Sequence, residues 1–318
     1  GATAVATAAE AGGCEAIWTV EHGVVPSGYE SKYPYDPSGK MAGGAEEFDL
    51  PDPLIWLTWV AAKTTRIKLA TGILIVPQRN PVITAKELAT LDHLSGGRMV
   101  LGVGAGWLAE EFTALNVPFG DRGKRLDEYI AVMRALPNMT VIVPSDNNQI
   151  VNWLPIITEY KGPVYFRMSR DKSLPVHAAD VKPEIGKGIT LRDGSDLTLI
   201  ATGTMVGRCL LAADELAEKG ISAGVLEIHT LKPLDINAIA DAARKTGAIV
   251  TAEEHSIIGG LGGAVAETLA EKYPTPMVRV GIKDRFPVTA KDADVLMDYM
   301  GLGVPDIVQA AMDVIKRK

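Results

Sequence analysis

Apolar positions along this chain follow two rhythms. Short solid runs at residues 17–20, 67–76, 99–103, 141–143, 164–168, 197–201, 224–228, 248–251 and 277–280 have the length and β-branched content of buried strands. Between them, at 3–13, 54–62, 85–94 and 124–136, apolar residues recur every three or four positions, as on the buried face of a helix. Further helices are expected from near Val206, Ile236 and Leu261, with two more after Ala290. Strand alternating with helix predicts an α/β protein with parallel sheets. Gly12 with Gly13, and Gly96 with Gly97, stand where a left-handed residue would stop a helix. The helix at 124–136 sets Tyr129, Ile130, Met133 and Leu136 on one face.

Two stretches break the rhythm. Residues 23–53 are rich in Gly, Pro and Tyr over a span long for a loop, and a long connection after a strand often covers a site. The polar, proline-bearing residues 173–188 read as a linker, beyond which a fresh alternation of about 130 residues has the size of a whole domain. Pro155 lies within residues 147–158, and since proline inside a helix costs roughly 3 kcal/mol, any helix over that segment is expected to be distorted or shortened. No internal repeat relates the two halves.

Composition narrows the functional classes. With 32 basic against 39 acidic residues and a net charge of −7, the chain has no cationic block suited to nucleic acid. No apolar run reaches the roughly 18 residues of a membrane span. Cys14 and Cys209 are far apart and lack neighbours at metal-ligand spacing, which fits a reducing, cytoplasmic setting and no metal site. The chain opens at Gly1 inside an alanine-rich helical pattern with no strand before it, so a truncated N-terminus is expected.

The strings EAIWTVEHGVVPSGYESKYPYDPSGK, TTRIKLATGILIVPQRNP, LATLDHLSGGRMVLGVGAGWLAEEF and RGKRLDEYIAVMRAL resemble the luciferase-like monooxygenases, in particular their deazaflavin-dependent branch. The resemblance implies that residues 1–136 are a fragment of a (β/α) barrel holding strands two to four, with FMN or the deazaflavin coenzyme F-420 at the strand ends. It places His22 beside the cofactor ring as the candidate catalytic residue. Thr71, Gly72 and Ile73 would pack on the ring's face, with Gly104, Ala105, Gly106 and Trp107 in the turn after the fourth strand. Glycines there would let backbone amides approach a flat ring. A lone histidine after a strand is equally at home as a structural group, and Gly102, Gly104 and Gly106 are a weak fingerprint because strand-to-helix turns use glycine anyway. His93 reads as a helix-end residue complementing the dipole. Strand one and the later phosphate-binding loops are missing, so the site would be incomplete.

From Met133 onward, MRALPNMTVIVPSD, GPVYFRMSRDKSLPV, DLTLIATGTMVGRCLLAADELAEKGISAGVLEIHTLKPLD and IVTAEEHSIIGGLGGAVAE resemble transketolase, above all its separate C-terminal subunit. This implies the tail of a thiamine pyrimidine-binding domain plus linker at 137–186 and a whole C-terminal domain at 187–318. The family uses thiamine diphosphate with Mg to move two-carbon ketol units between sugar phosphates. Arg170 matches its phosphate-gripping arginine, a task suited to a planar guanidinium; a solvated loop arginine is the bland alternative. Glu254, His255, Gly259 and Gly260 match a turn near the dimer contact. That turn runs strand, glycines, helix like a phosphate loop, but lacks the Lys-Ser/Thr ending.

The two resemblances meet at the tetrapeptide MRAL, residues 133–136, so the chain reads as a chimera joined near Leu136. Three roles follow: a homodimerising C-terminal module of a transketolase that needs an N-terminal subunit, a luciferase-like oxidoreductase, or a hybrid without activity.

Overall fold

In the computed structural model strands and helices alternate as the pattern predicts. The structure describes residues 1–41, 46–136, 138–168, 173–283 and 293–318. The first elements are α1 (Ala2–Ala11), β1 (Ala16–Thr19), α2 (Pro53–Ala61), β2 (Lys68–Thr71), β3 (Leu74–Ile75), α3 (Pro81–Ser95) and β4 (Met99–Gly104). Then come α4 (Ala109–Ala114), α5 (Arg122–Ala135), β5 (Thr140–Ile142), α6 (Asn147–Glu159) and β6 (Val164–Phe166). The remainder is β7 (Ile189–Arg192), β8 (Leu197–Ala201), α7 (Met205–Glu218), β9 (Ala223–Glu227), β10 (Thr230–Lys232), α8 (Ile236–Thr246) and β11 (Ile249–Ser256). It closes with α9 (Leu261–Lys272), β12 (Met277–Ile282), α10 (Ala293–Tyr299) and α11 (Val304–Ile315).

The chain forms two compact units, residues 1–139 with 157–166, and residues 140–156 with 167–318. In the first, β1, β2, β4 and β6 lie side by side in parallel, and β3 also pairs with β4. Because they run the same way, the residues that follow β1, β2 and β4 gather along one edge. Asp52 and Asn80 each precede a proline at the first helical turn, and their side chains accept from two backbone N–H groups of α2 and α3. Gly96, left-handed at φ 74°, ends α3 as its sequence suggests.

The second unit carries a five-stranded sheet of order β12-β11-β8-β9-β7, parallel except for β7. Alternate strand residues point to opposite faces. Leu197, Leu199, Val225 and Val250 meet α7 and α11 on one side, while α8 and α9 pack on β8 and β11. Elsewhere in this unit β5 pairs antiparallel with β10.

Three expectations are corrected. The apolar run 67–76 is two short strands and a 3-10 turn at Val76–Gln78, broken at Gly72, where a Cβ would sit 3.2 Å from the Trp18 ring. An unbroken apolar pattern carries no sign of such a break. The helix over Pro155 runs its full 13 residues. Pro155 and Val151, whose carbonyl it leaves without an intrahelical donor, are both exposed, so water can take the lost bond. The strand expected at 164–168 ends at Phe166.

Candidate functional site

At the strand-end edge of the first unit, residues 22–25 and 46–50 line a cleft of about 630 Å³, within the usual range for small-ligand sites. His22 sits on its wall. Behind it lies Glu111 of α4, wholly buried, with Oε2 3.0 Å from His22 Nδ1. Glu111 Oε1 accepts from the Gly23 N–H at 2.5 Å and the Val24 N–H at 3.4 Å. Trp107 meets the His22 ring edge-on at 5.9 Å and stands against Tyr29 and Tyr33 at 5.5 and 5.2 Å. The long loop is therefore tied to the β4–α4 turn through aromatic rings.

Beside His22, buried Glu21 accepts from Arg79 Nε at 2.7 Å and from the Ile75 N–H. Arg79 also reaches Asp52 at 2.5 Å. Burial raises the Glu21 carboxyl above its ordinary range and outweighs the neighbouring guanidinium. These groups clamp the end of β1 to the turn after β3 and the start of α2.

The remaining sequence-predicted residues split between these neighbourhoods. His22 and Trp107 come together. Thr71 is fully buried, its hydroxyl donating to the Gly102 carbonyl at 2.8 Å. Gly72 and Ile73 share a cis peptide bond. A Cβ on Gly104 would lie 2.7 Å from Ile73, and one on Gly106, at φ 78°, 2.8 Å from Ile75 and Phe112. Glycine at 104 and 106 is thus required by the chain's own packing. For a phosphate-bearing flavin or deazaflavin the fit fails at the phosphate: the cleft lining holds Glu46, Glu47 and Asp49 and no Lys or Arg.

In the second unit, Glu253 supplies what the glycine-rich turn lacks. Its carboxylate accepts from the Leu261 and Gly262 N–H groups, each at 2.7 Å, at the N-terminus of α9. That is the position a phosphate takes in a phosphate loop. A Cβ at Gly260 would lie 1.9 Å from Glu253 Oε2, so glycine there lets the carboxylate in. Gly259 is left-handed at φ 80°. His255 is buried with Nδ1 2.6 Å from the Ser256 carbonyl, and Glu254 accepts from the Thr204 hydroxyl at 2.7 Å. Arg170 lies outside the described residues.

A second buried network in this unit was not legible in the sequence. Asp146 accepts from the Val176 and His177 N–H groups, both at 2.7 Å, and from the Gln149 N–H at 2.8 Å. His177 Nε2 lies 2.7 Å from Glu227 Oε2, to which Gln149 also donates at 3.0 Å. Burial pulls His177 down, but the hydrogen bond and charge of Glu227 outweigh it and the ring ends above its ordinary value. His229, fully buried with its ring 5.0 Å from Trp153, is pushed by burial down to about 4. Among the described residues no group of three His, Cys, Asp or Glu side chains is placed to hold a metal ion. No described helix is long and apolar enough to cross a membrane.

Parallel sheets with a strand-end cleft in one unit, and a separate parallel sheet with a carboxylate-filled helix turn in the other, define a two-part α/β protein. The chain belongs to the luciferase-like monooxygenase family, whose model matches residues 1–183, and it continues with a match to the transketolase C-terminal domain at residues 186–307. Curated relatives include subunits and sections of transketolases. A 6-deoxy-6-sulfo-D-fructose transketolase subunit from Clostridium is 45% identical over 191 residues, 60% of this chain and 59% of that protein. A protein named as a transketolase C-terminal section, from Methanocaldococcus jannaschii, is 43% identical over 211 residues, 65% of this chain and 66% of that protein. The chain thus spans about three-fifths of the length of such relatives. A solved split-gene transketolase, an inactive beta4 tetramer, aligns over 99% of this chain and 96% of its own with TM-score 0.67 and 27% identity. A 211-residue similarity cannot fit into the residues after 183, so the two likenesses overlap in the segment before that point.

Proposed function

We propose that this chain serves as the C-terminal part of a transketolase-type assembly in which a separate N-terminal subunit supplies the thiamine diphosphate and Mg site. The observation that carries this is the 40 to 45% identity to C-terminal sections and subunits of transketolases. In this reading residues 137–186 are the tail of a pyrimidine-binding domain, residues 187–318 are the C-terminal domain, and residues 1–136 are a barrel fragment. Glu254, His255, Gly259 and Gly260 lie at a homodimer contact, Arg170 meets a sugar phosphate, and the setting is cytoplasmic. The chain's own contribution is structural: Glu253 and Asp146 hold helix starts and loop backbone in place. The test mixes the purified chain with an N-terminal transketolase subunit and follows mass by light scattering and thiamine diphosphate binding by calorimetry. A complex that binds the cofactor supports the reading; a chain that remains apart from every such subunit overturns it.

A second reading is favoured by the family match over more than half the chain and by the cleft beside His22: a luciferase-like oxidoreductase. The bound ring would supply hydride chemistry, with His22 and Trp107 on the cleft wall, but the lining gives a phosphate no cation, so no step is derived through it. Colourless purified protein that leaves added FMN and F-420 unbound counts against this reading and favours a hybrid without oxidoreductase activity.

A further inference from the structure

His22 is gripped on one edge and open on the other. Its Nδ1 faces buried Glu111 at 3.0 Å, Trp107 stands edge-on at an interplanar angle of 87°, and Nε2 makes no hydrogen bond among the described residues. The ring itself lines the cleft, with only 12% of its side chain exposed. We infer that Glu111 is a positioning residue that fixes His22 as the Nδ1–H tautomer, so that the cleft is presented with an unprotonated Nε2 and takes a hydrogen-bond donor there.

The argument is one of donor and acceptor supply. An ionised carboxylate only accepts, and Glu111 already accepts the Gly23 and Val24 N–H groups through its other oxygen. The proton of the His22–Glu111 bond therefore belongs to Nδ1. A neutral imidazole has one N–H, so placing it on Nδ1 leaves Nε2 an acceptor. Glu47 and Asp49 on the same lining are acceptors too, whereas Glu46 is already paired with Lys40 and the Gly28 N–H. The ligand class that matches is a molecule offering hydroxyl, amine or ring N–H groups, and an anion is disfavoured. Glutamate suits the position because its two oxygens serve the loop backbone and the ring at once, holding the loop that carries His22.

The test is a long-range 1H–15N correlation spectrum of the full chain, with the five histidines assigned by substitution and the pH set where the His22 ring is neutral. The wild-type spectrum shows the proton on Nδ1. In Glu111→Gln the amide oxygen keeps the Gly23 N–H while the amide NH2 donates to Nδ1, so the ring proton moves to Nε2. A wild-type His22 protonated at Nε2, or a Glu111→Gln protein whose tautomer is unchanged, overturns the inference. Should the variant fail to fold, the wild-type spectrum decides alone. Since the readout needs no cofactor, a colourless protein sinks the oxidoreductase reading and leaves this inference standing.

Discussion

Acidifying the protein from pH 7 to pH 5 should weaken the second unit by about 2 kcal/mol through His229 alone. The ring is fully buried against Trp153 and its Nδ1 lies 2.9 Å from the Thr230 hydroxyl. Burial takes its pKa from 6.5 down to about 4. The sign follows from proton counts. Between these values the unfolded chain holds a proton that the folded chain refuses, so stability present above pH 6.5 is lost as the pH falls toward 4. At roughly 1.4 kcal/mol per pKa unit the whole step is about 3 kcal/mol, and about 2 kcal/mol of it falls between pH 7 and 5. His177 opposes this in the upper part of the window: its pKa is raised, so its contribution grows as the pH falls from 7 and is complete below the unfolded value of 6.5, but it is common to the wild type and a His229 variant and cancels in their comparison. The assay is urea denaturation at pH 7, 6 and 5 of the wild type and of His229→Asn, which keeps a polar atom near Thr230 but cannot be protonated. The variant is less stable throughout, but its stability changes less with pH. Equal slopes for the two proteins between pH 7 and 5 would refute the reasoning.

Three further perturbations address the other networks. Gly260→Ala should lower the urea midpoint by the equivalent of about 2 to 3 kcal/mol, because its Cβ would overlap Glu253 Oε2 at 1.9 Å; an unchanged midpoint would mean the carboxylate does not fill the helix end. Asp146→Ala removes the acceptor of three backbone N–H groups, so it should cost at least about 3 kcal/mol and speed proteolytic cleavage within residues 173–183; cleavage at the wild-type rate would count against that anchoring. Arg79→Met leaves Glu21 buried without its cation and should cost about 3 kcal/mol, with Glu21→Gln in the same chain restoring part of it. A double variant no more stable than the single one would show that the ion pair is not the cause.

Strands were legible where the apolar run was solid, as at β8, β9 and β11, because burial on both faces of a parallel sheet demands it. The break at Gly72 was not, since apolar periodicity registers burial and is blind to a change in backbone direction. Elements too short to hold a period also escaped: α4 has six residues, and β7 and β10 have four and three. In the site, His22 and Trp107 were legible through their motifs, while their positioning partner Glu111 was not, because it lies 89 positions away from His22 in the chain. His177 in its proline-bearing stretch looked like any solvated loop residue; its role depends on Glu227, 50 positions on. One signal was available. A helix that starts at Leu261 straight after glycines has no side-chain cap of its own, so an acceptor must come from elsewhere, and the adjacent acidic pair Glu253 and Glu254 was within reach.

Four of the buried carboxylates, Glu111, Asp146, Glu227 and Glu253, separate by what their oxygens serve. Glu253 and Asp146 receive backbone N–H groups at helix starts and along residues 176–177, donors that would otherwise be orphaned, so they are parts of the fold. Glu227 serves the His177 and Gln149 side chains, which are themselves buried, so it acts on the stability of this unit and on how that varies with pH. Glu111 alone among the four divides its oxygens between loop backbone and a histidine on a cleft wall. A carboxylate that had only to tie the loop would need one of those oxygens. The second, aimed at a ring that faces a ligand-sized space, is what makes this pair the place to look for chemistry belonging to this chain.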